Sequence, residues 1–181
     1  MKKNITITVF IISVAFSSFG FEYPGEPEIV SDHSLFTIER SRSEDFIAYE
    51  INMDSSGEPD ETDPIKIFWI KKSEDNRKEP LTWIQNLYGY GIELMDNTSG
   101  ANGEWQFRIV SFPERTFTMS HKSGNQYHVY THIAGRDIEV EKIYVNFIND
   151  KFWNPGVSHV ILYGIDLHSG ETISNTIASS T

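Results

Sequence analysis

Cysteine is absent from this 181-residue chain, and its absence excludes several kinds of chemistry. The chain cannot form a disulfide, use a thiolate as a nucleophile or metal ligand, or carry a lipid anchor on cysteine. Its folded part must therefore rely on a hydrophobic core, and the chain is long enough to bury one.

Long apolar runs are also scarce, and the one present lies at the N-terminus. Two lysines precede the uncharged residues 5–16, and Ser18 and Gly20 supply the small side chains that a signal peptidase requires. The run is shorter than the ~20 apolar residues of a spanning helix, although its Ile, Thr and Val would also suit a buried strand. We therefore expect residues 1–20 to be a secretory signal peptide cleaved before Phe21. The product would then be released into a periplasm or the medium without a membrane anchor.

Basic residues are few, since 15 lysines and arginines stand against 26 aspartates and glutamates, a net charge of −11. Signal cleavage would remove two lysines, which leaves 13 basic against 26 acidic residues and a net charge of −13. This excess repels phosphate backbones and anionic lipid headgroups. Nucleic acid is therefore not an expected partner, and the acidity favours a soluble product.

Helical periodicity is rare as well, because short β-branched and aromatic runs separated by turn residues fill the chain from residue 35 onward. In residues 46–53, for example, Ile47, Tyr49 and Ile51 alternate with Ala48, Glu50 and Asn52, which is typical of a half-buried strand. The pattern predicts a mainly β fold, a single antiparallel β-sandwich or flattened barrel of about nine strands with one short helix.

The same pattern divides the chain into four parts. We expect the signal peptide, an extended leader over residues 21–33, a single β-rich domain over residues 34–175 and a frayed tail over residues 176–181. No internal repeat or linker divides the β-rich part.

The short helix is predicted over residues 80–89. Pro80 suits a first helical position and Gly89 a C-terminal cap. An apolar stripe at helical spacing would dock this helix on the sheet; its members are Leu81, Ile84, Leu87 and Tyr88.

A change of phase marks residues 136–148. Ile138 and Val140 are apolar at even positions, whereas Ile143 and Val145 are apolar at odd ones. A one-residue slip moves every side chain to the opposite face, so the sequence predicts a β-bulge near Glu141, or a strand that switches sheets.

Short motifs follow one another in a recognisable order at residues 36–41, 49–50, 64–70, 81–91, 107–110, 143–145 and 162–164. Together they resemble the family catalogued as domain of unknown function 4833, over roughly residues 35–172. The resemblance implies a compact β domain. It implies no activity, cofactor or catalytic residue.

Two histidines invite a metal-site hypothesis. On a helix, His128 and His132 would share a face, but the intervening Tyr130 and its neighbours indicate a strand. At about 3.3 Å of rise per residue the two histidines stand about 13 Å apart and cannot share one zinc ion. A metal would need further donors from a neighbouring strand, such as His121 or Glu139. We therefore predict no metal site and no cofactor. We expect a polar face that carries His128, Tyr130 and His132 in a row.

Three arginines stand mid-strand beside aromatic residues, at Arg40, Arg108 and Arg115. In an acidic protein such an arginine suits a carboxylate or phosphate ligand. The alternative is an ion pair within the chain, to one of three glutamates: Glu39, Glu50 or Glu104.

Other catalytic patterns are weak or missing. The acidic loop 54–63 has its glycine and a proline in the wrong places for a calcium loop, and no serine lies in a Gly-x-Ser-x-Gly motif. Paired carboxylates can catalyse hydrolysis; the candidate acids are Glu39, Glu50, Asp137, Glu139 and Glu141.

We therefore expect an exported soluble β domain that acts as a non-enzymatic binding module for a small ligand, a glycan or an envelope partner. Its candidate binding face comprises Arg108, His128, Tyr130 and His132, with weaker candidates at Arg40, Glu50 and Glu139. The alternative is a hydrolase that uses carboxylate or histidine acid–base residues. That alternative requires at least two residues of one set to converge in one pocket: His128, His132, Glu139, Arg108 and Glu50.

Overall fold

The computed structural model describes residues 31–95, 103–123, 126–148 and 156–178. The predicted signal peptide, most of the predicted leader and the last three residues lie outside this part of the chain. Within it, no helix is long and apolar enough to cross a membrane.

The described residues form eleven strands and one short α-helix. The strands are β1 Ser34–Arg40, β2 Phe46–Ile51, β3 Ile65–Lys71, β4 Arg77–Pro80, β5 Ile92–Leu94, β6 Glu104–Ile109, β7 Phe112–Ser123, β8 Gln126–Ile133, β9 Arg136–Phe147, β10 Val157–Asp166 and β11 Thr172–Ala178. The helix α1 spans Trp83–Gln85 and continues as a π-helical turn over Asn86–Tyr90. The expectation of a mainly β fold with one short helix is confirmed.

All strands belong to one curled sheet, whose order is β4-β3-β2-β1-β9-β8-β7-β6-β5. Strand β9 pairs with three other strands. One of them is β10, which pairs with most of the length of β9, and β11 pairs with the other edge of β10. Strand β8 pairs with the first part of β9 and β1 with its second part. Because a strand has only two edges, β8 and β1 follow one another along the edge that β10 leaves free. The sheet thus has two halves, β1–β4 and β5–β8, that diverge from β9.

The two halves share one hydrophobic core. Phe36 of β1 stacks on Tyr49 of β2 with ring centroids 4.2 Å apart, and also lies 6.2 Å from Phe117 of β7. Phe117 in turn stacks on Phe107 of β6 at 5.6 Å. Each of these side chains is almost fully buried, which stabilises the fold by roughly 1.5–3 kcal/mol per side chain. The halves therefore face each other, as in a flattened barrel or sandwich.

One pairing departs from the predicted antiparallel sheet. Strands β1 and β9 run parallel, with Thr37 opposite Lys142 and Arg40 opposite Val145. The sheet is therefore mixed, and the antiparallel prediction was wrong for this pair. Alternation of side chains reports which face of a strand is buried, but it carries no information on the direction of a partner strand distant in sequence.

The predicted β-bulge is confirmed. In the pairing of β9 with β10, Lys142 is opposite Tyr163 and Val140 is opposite Gly164, so that Glu141 is the extra residue. A Cβ atom at position 164 would collide with the backbone carbonyl oxygen of Glu139. The bulge thus requires glycine on the neighbouring strand.

The predicted helix is wrong in its start and in its docking. Pro80 ends β4, opposite Phe68 of β3, and the helix starts after Thr82. There the Thr82 hydroxyl accepts a hydrogen bond from the Gln85 amide, and the Gln85 side chain accepts one from the Thr82 amide. The later start and the wider π turn rotate the apolar stripe away from the sheet. Only Leu81 packs against the core, whereas three members of the stripe are exposed: Ile84, Leu87 and Tyr88.

Candidate functional site

The predicted binding residues lie on one face of the sheet. Phe107, Ile109 and Val129 are buried in the core, so that the alternating positions of the same strands point outward. Strands β6–β9 thus present an outward surface that we call the polar face, comprising Arg108, Ser120, Lys122, His128, Tyr130, His132 and Glu139.

A connected group of four side chains occupies the polar face on β7, β8 and β9. His128 Nε2 lies 2.8 Å from Ser120 Oγ, and His128 Nδ1 lies 3.5 Å from Glu139 Oε2. The 3.5 Å contact is electrostatic and does not satisfy hydrogen-bond geometry. Lys122 Nζ donates to the other carboxylate oxygen, Glu139 Oε1, at 2.6 Å. We call these four residues the His128 network.

Strand register brings the His128 network together. Ser120 is directly opposite His128 in the pairing of β7 with β8, and Glu139 is opposite Tyr130 in the pairing of β8 with β9. Glu139 is therefore a diagonal neighbour of His128, within reach of its ring. The Tyr130 ring packs edge-on against His128 with centroids 5.8 Å apart, which fixes the imidazole from a further side.

The network holds Glu139 in its charged form. Its contact with His128 is the largest influence that lowers the pKa of Glu139, burial opposes it, and the bond and charge of Lys122 lower it further, to about 2. The side chains of His128 and Glu139 are only 15% and 17% exposed. Glu139 is consequently a fixed negative charge at neutral pH, with both oxygens directed at neighbours.

A cavity of about 360 Å³ opens next to the network. It lies where β1 and β8 diverge from β9, and Lys122 and Glu139 form part of its wall. Its other lining residues include His33, Leu35, Phe36, Thr37, Tyr127 and Glu141. The Thr37 hydroxyl oxygen is buried and has no hydrogen-bond partner. One end of the polar face therefore borders a space of the size that ligand sites have.

The two histidines of the polar face have different surroundings. His132 Nδ1 lies 2.9 Å from Asp137 Oδ1, and both side chains are more than half exposed. His128 instead belongs to the buried network. Among the described residues, no group of three or more histidine, aspartate or glutamate side chains is placed to hold a metal ion.

Two of the weaker candidates lie elsewhere. Glu50 of β2 accepts hydrogen bonds from Lys78 at 2.6 and 2.8 Å and from the Ser31 hydroxyl at 2.9 Å, a fully satisfied ion pair. Arg40 of β1 stacks over the Trp69 ring at 4.4 Å. Of the three weaker candidates, the structure brings only Glu139 to the polar face.

The ion pairs considered as an alternative for Arg40, Arg108 and Arg115 are not formed. Within the described part of the chain none of the three contacts a carboxylate, and the Nε atom of each is buried without a partner. Arg115 donates from Nη1 to the His132 carbonyl at 2.7 Å.

Sequence reasoning missed Ser120 and Lys122. A signal was available in the sequence, because Gly124 and Asn125 are typical turn residues, and a hairpin at this point gives a register that places Ser120 opposite His128. Lys142 was also missed. It is 1% exposed, lies 3.5 Å from Glu39 Oε1 and has its ammonium 5.4 Å from the Tyr163 ring. Lys142 is opposite Tyr163, next to the bulge, and no alternation pattern indicates its burial.

Comparison with known proteins agrees with the motif order. Searches of the curated proteins and of the solved structures found no match. A family model described as domain of unknown function (DUF4833) matches residues 36–176, which is most of the chain. The resemblance inferred from the sequence is thereby confirmed, and the chain belongs to the DUF4833 family.

Proposed function

We propose that this protein is an exported, non-enzymatic binding module that takes a small polar ligand or glycan in the cavity beside the His128 network. The cavity of about 360 Å³ is the observation that carries the proposal. Small-molecule sites in proteins are concave, combine apolar walls with a few fixed polar groups, and have volumes of about 300–1,000 Å³.

The chemistry of the cavity wall supports this proposal. Leu35 and Phe36 supply an apolar side, and Tyr127 adds an aromatic ring. Lys122 and Glu139 supply charged groups whose positions are fixed by their mutual hydrogen bond. A sugar ring or a comparable polar molecule has both an apolar face and hydrogen-bonding edges, so it suits such a wall.

The electrostatics argue against Glu139 as the group that transfers a proton. An effective general acid or base has a pKa near the working pH, whereas the pKa of Glu139 is lowered to about 2. Glu139 can therefore neither supply nor retain a proton at neutral pH. A carboxylate that keeps its charge and its position suits recognition of a ligand, or the orientation of a neighbouring imidazole.

Ligand carriage is tested on the chain from residue 21 onward, purified from its own host and examined by native mass spectrometry. We expect a bound mass that is lost when Gln126→Trp blocks the cavity rim, because Gln126 is exposed and lines the cavity. Glu171→Trp, an exposed position outside the cavity lining, is the control and should keep the bound mass. An unliganded protein, together with no change in the Tyr127 resonances on titration with a panel of sugars, would contradict the proposal.

Export is the second part of the proposal, and it is supported by the N-terminal sequence alone. Expression in the native host should give a mature chain that starts at Phe21, found by N-terminal sequencing in the periplasm or the medium. Ile11→Asp places a charge in the apolar run and should leave the uncleaved precursor inside the cell. Cleavage and release of that variant would contradict a signal peptide.

Hydrolysis is a second candidate, favoured by one observation. Ser120, His128 and Glu139 follow one another as hydroxyl, imidazole and carboxylate, the order found in serine hydrolases. Ser120 is, however, only 8% exposed and lies within a strand paired on both sides. Covalent labelling by a fluorophosphonate that disappears in Ser120→Ala would favour this candidate, whereas an unlabelled protein would exclude serine catalysis at this position.

A further inference from the structure

The pairing of β6 with β7 is interrupted by a large bulge in β7. Phe107 is opposite Phe117, but only two positions later Ile109 is opposite Phe112. Residues 113–116 of β7 therefore have no regular partners, and Arg108 lies opposite this irregular segment. Bulges of this kind redirect side chains and are frequent beside functional sites.

Two arginines lie at the bulge. Arg108 is on β6, opposite the irregular segment, and Arg115 is within that segment. Both are half-buried, and the Nε atom of each is buried without a hydrogen-bond partner. Arg115 is held in place by a hydrogen bond from Nη1 to the His132 carbonyl, and its guanidinium lies 5.9 Å from the Phe112 ring centroid. Neither contacts a carboxylate in the described part of the chain.

Among the described residues, Arg108 and Arg115 lack the carboxylate partners that several other basic side chains have. Arg40 lacks one too, but its guanidinium lies over the Trp69 ring and donates to the hydroxyls of Tyr90 and Ser43. The chain has 26 acidic residues, and basic side chains elsewhere do contact them. Examples of these pairs are Lys71–Asp45, Arg77–Glu74, Lys78–Glu50, Lys122–Glu139 and Arg136–Asp166. In so acidic a protein, two half-buried guanidinium groups without a carboxylate make a local positive site.

We propose that Arg108 and Arg115 bind the oxyanion group, carboxylate or phosphate, of a small molecule at this bulge. A guanidinium presents a planar fork of N–H donors that matches two oxygens of a carboxylate or phosphate. The partly buried position strengthens each such hydrogen bond, because water competes less for the donors.

The neighbouring charges set the strength of the site. Glu93 is opposite Arg108 on β5, and Glu114 lies within the bulge; both are exposed. On the β8 side, His132 is directed to Asp137. These carboxylates repel an anion from a distance and are screened by salt. Salt screens the attraction of the two arginines in the same way, so the affinity has to be measured at one fixed ionic strength.

This site does not depend on the cavity. Arg115 and Lys122 are seven residues apart on β7, which corresponds to roughly 20 Å along the strand, and Lys122 lines the cavity. Failure of the cavity proposal would therefore leave the anion site untouched, and the reverse also holds.

The test is a titration of the isotope-labelled chain from residue 21 onward with inorganic phosphate or with acetate, at constant ionic strength set with chloride. The Arg Nε–Hε resonances and the amide resonances of residues 107–117 report binding by NMR. We expect saturable shifts, with the apparent affinity reduced at least about tenfold in Arg108→Gln and in Arg115→Gln. Arg77→Gln is the matched control, because Arg77 is an exposed arginine already paired with Glu74 and Glu79, and it should bind as the parent does.

The results of the titration distinguish a phosphate ligand from a carboxylate ligand, and they also show when the proposal fails. Saturation by phosphate alone or by acetate alone identifies the chemistry of the anionic group. Arg108→Lys keeps the charge but not the planar fork, so it should fold as the parent does and bind with intermediate affinity. Shifts that do not saturate, or that are equally reduced in Arg77→Gln, would overturn the proposal.

Discussion

The outward surfaces of the two halves of the sheet differ, although both halves enclose one core. On the β1–β4 half the outward side is partly apolar, since Phe46, Ala48 and Ile70 are buried there and pack with Phe68. On the β6–β9 half the outward side is the polar face. The first surface resembles a second core, whereas the second holds charges and a histidine in fixed positions.

Each outward surface contains a lysine–glutamate pair with only 2.6 Å between nitrogen and oxygen, and these two pairs also differ. Lys78 and Glu50 form a pair closed by the Ser31 hydroxyl. Lys122 and Glu139 form a pair that borders the cavity and is shared with His128. A charged pair can therefore stabilise the fold on one surface and form part of a candidate binding site on the other. Substitutions can separate these two roles.

The largest expected effect is on the apolar outward surface. Ile70→Ala removes a side chain that is 0% exposed and should lower the free energy of unfolding by about 2–5 kcal/mol. His132→Ala, on the exposed part of the polar face, should change it by no more than about 0.5 kcal/mol. Denaturant unfolding of both variants measures the difference. Equal stabilities would show that the apolar outward surface adds nothing to the core.

The next effect concerns the bulge beneath the His128 network. Gly164→Ala places a methyl group against the Glu139 carbonyl and should cost roughly 1–3 kcal/mol through overpacking. Gly89→Ala is the control, because a Cβ atom there meets no neighbour. Thermal unfolding measures both, and the chemical shift of the His128 ring reports whether the network moves. An unchanged stability for Gly164→Ala would contradict the close approach of β9 and β10.

The two lysine–glutamate pairs give the third prediction. Lys78→Ala leaves Glu50, whose side chain is only 10% exposed, without its main partner and should cost about 1–3 kcal/mol. Lys122→Ala leaves Glu139 in contact with His128 and removes a lysine that is 46% exposed, so the cost should be below about 1 kcal/mol. Equilibrium unfolding of both variants under the same conditions tests this order. A larger loss for Lys122→Ala would reverse the assigned roles.

The sequence predicted those features of the fold that depend on neighbouring residues. The alternation of Ile47, Tyr49 and Ile51 identified β2, and the change of phase identified the bulge at Glu141, because both follow directly from the period of a strand. The parallel pairing of β1 with β9 was not predicted, since residues about a hundred positions apart meet there. The short strand β4 was also missed, and with it the displacement of the helix.

The same distinction applies to the candidate site. The row of His128, Tyr130 and His132 on one strand was visible in the sequence as a shared face. The partners of His128 come from two other strands, and Glu139 was only one of several acids that could have been chosen. Ser120 was missed, because only the register of β7 and β8 places it opposite His128, and its side-chain type does not indicate this. The alternation within one strand was therefore enough to predict the polar face. The His128 network depends on the pairing of three strands, which only the structure shows.

The smallest expected effect, and the most specific one, is the response of Glu139 to pH. Its pKa is lowered from 4.5 to about 2 in the folded chain. A carboxyl group with a lowered folded-state pKa stabilises the fold above its unfolded pKa, and this contribution is lost as the pH falls from about 4.5 to about 2. The difference in stability between the parent and Glu139→Gln should therefore shrink across that interval and stay constant above it.

Carbon-detected NMR titration should give a Glu139 midpoint near 2, shifted upward in His128→Ala because the largest cause of the lowering is removed. Asp54, in the acidic loop between β2 and β3, has its pKa lowered by its own loop, mainly by the Ser56 hydroxyl. It should titrate identically in both proteins. A Glu139 midpoint that ignores the loss of His128 would mean that Lys122 alone fixes this charge, and the His128 network would then reduce to a single salt bridge.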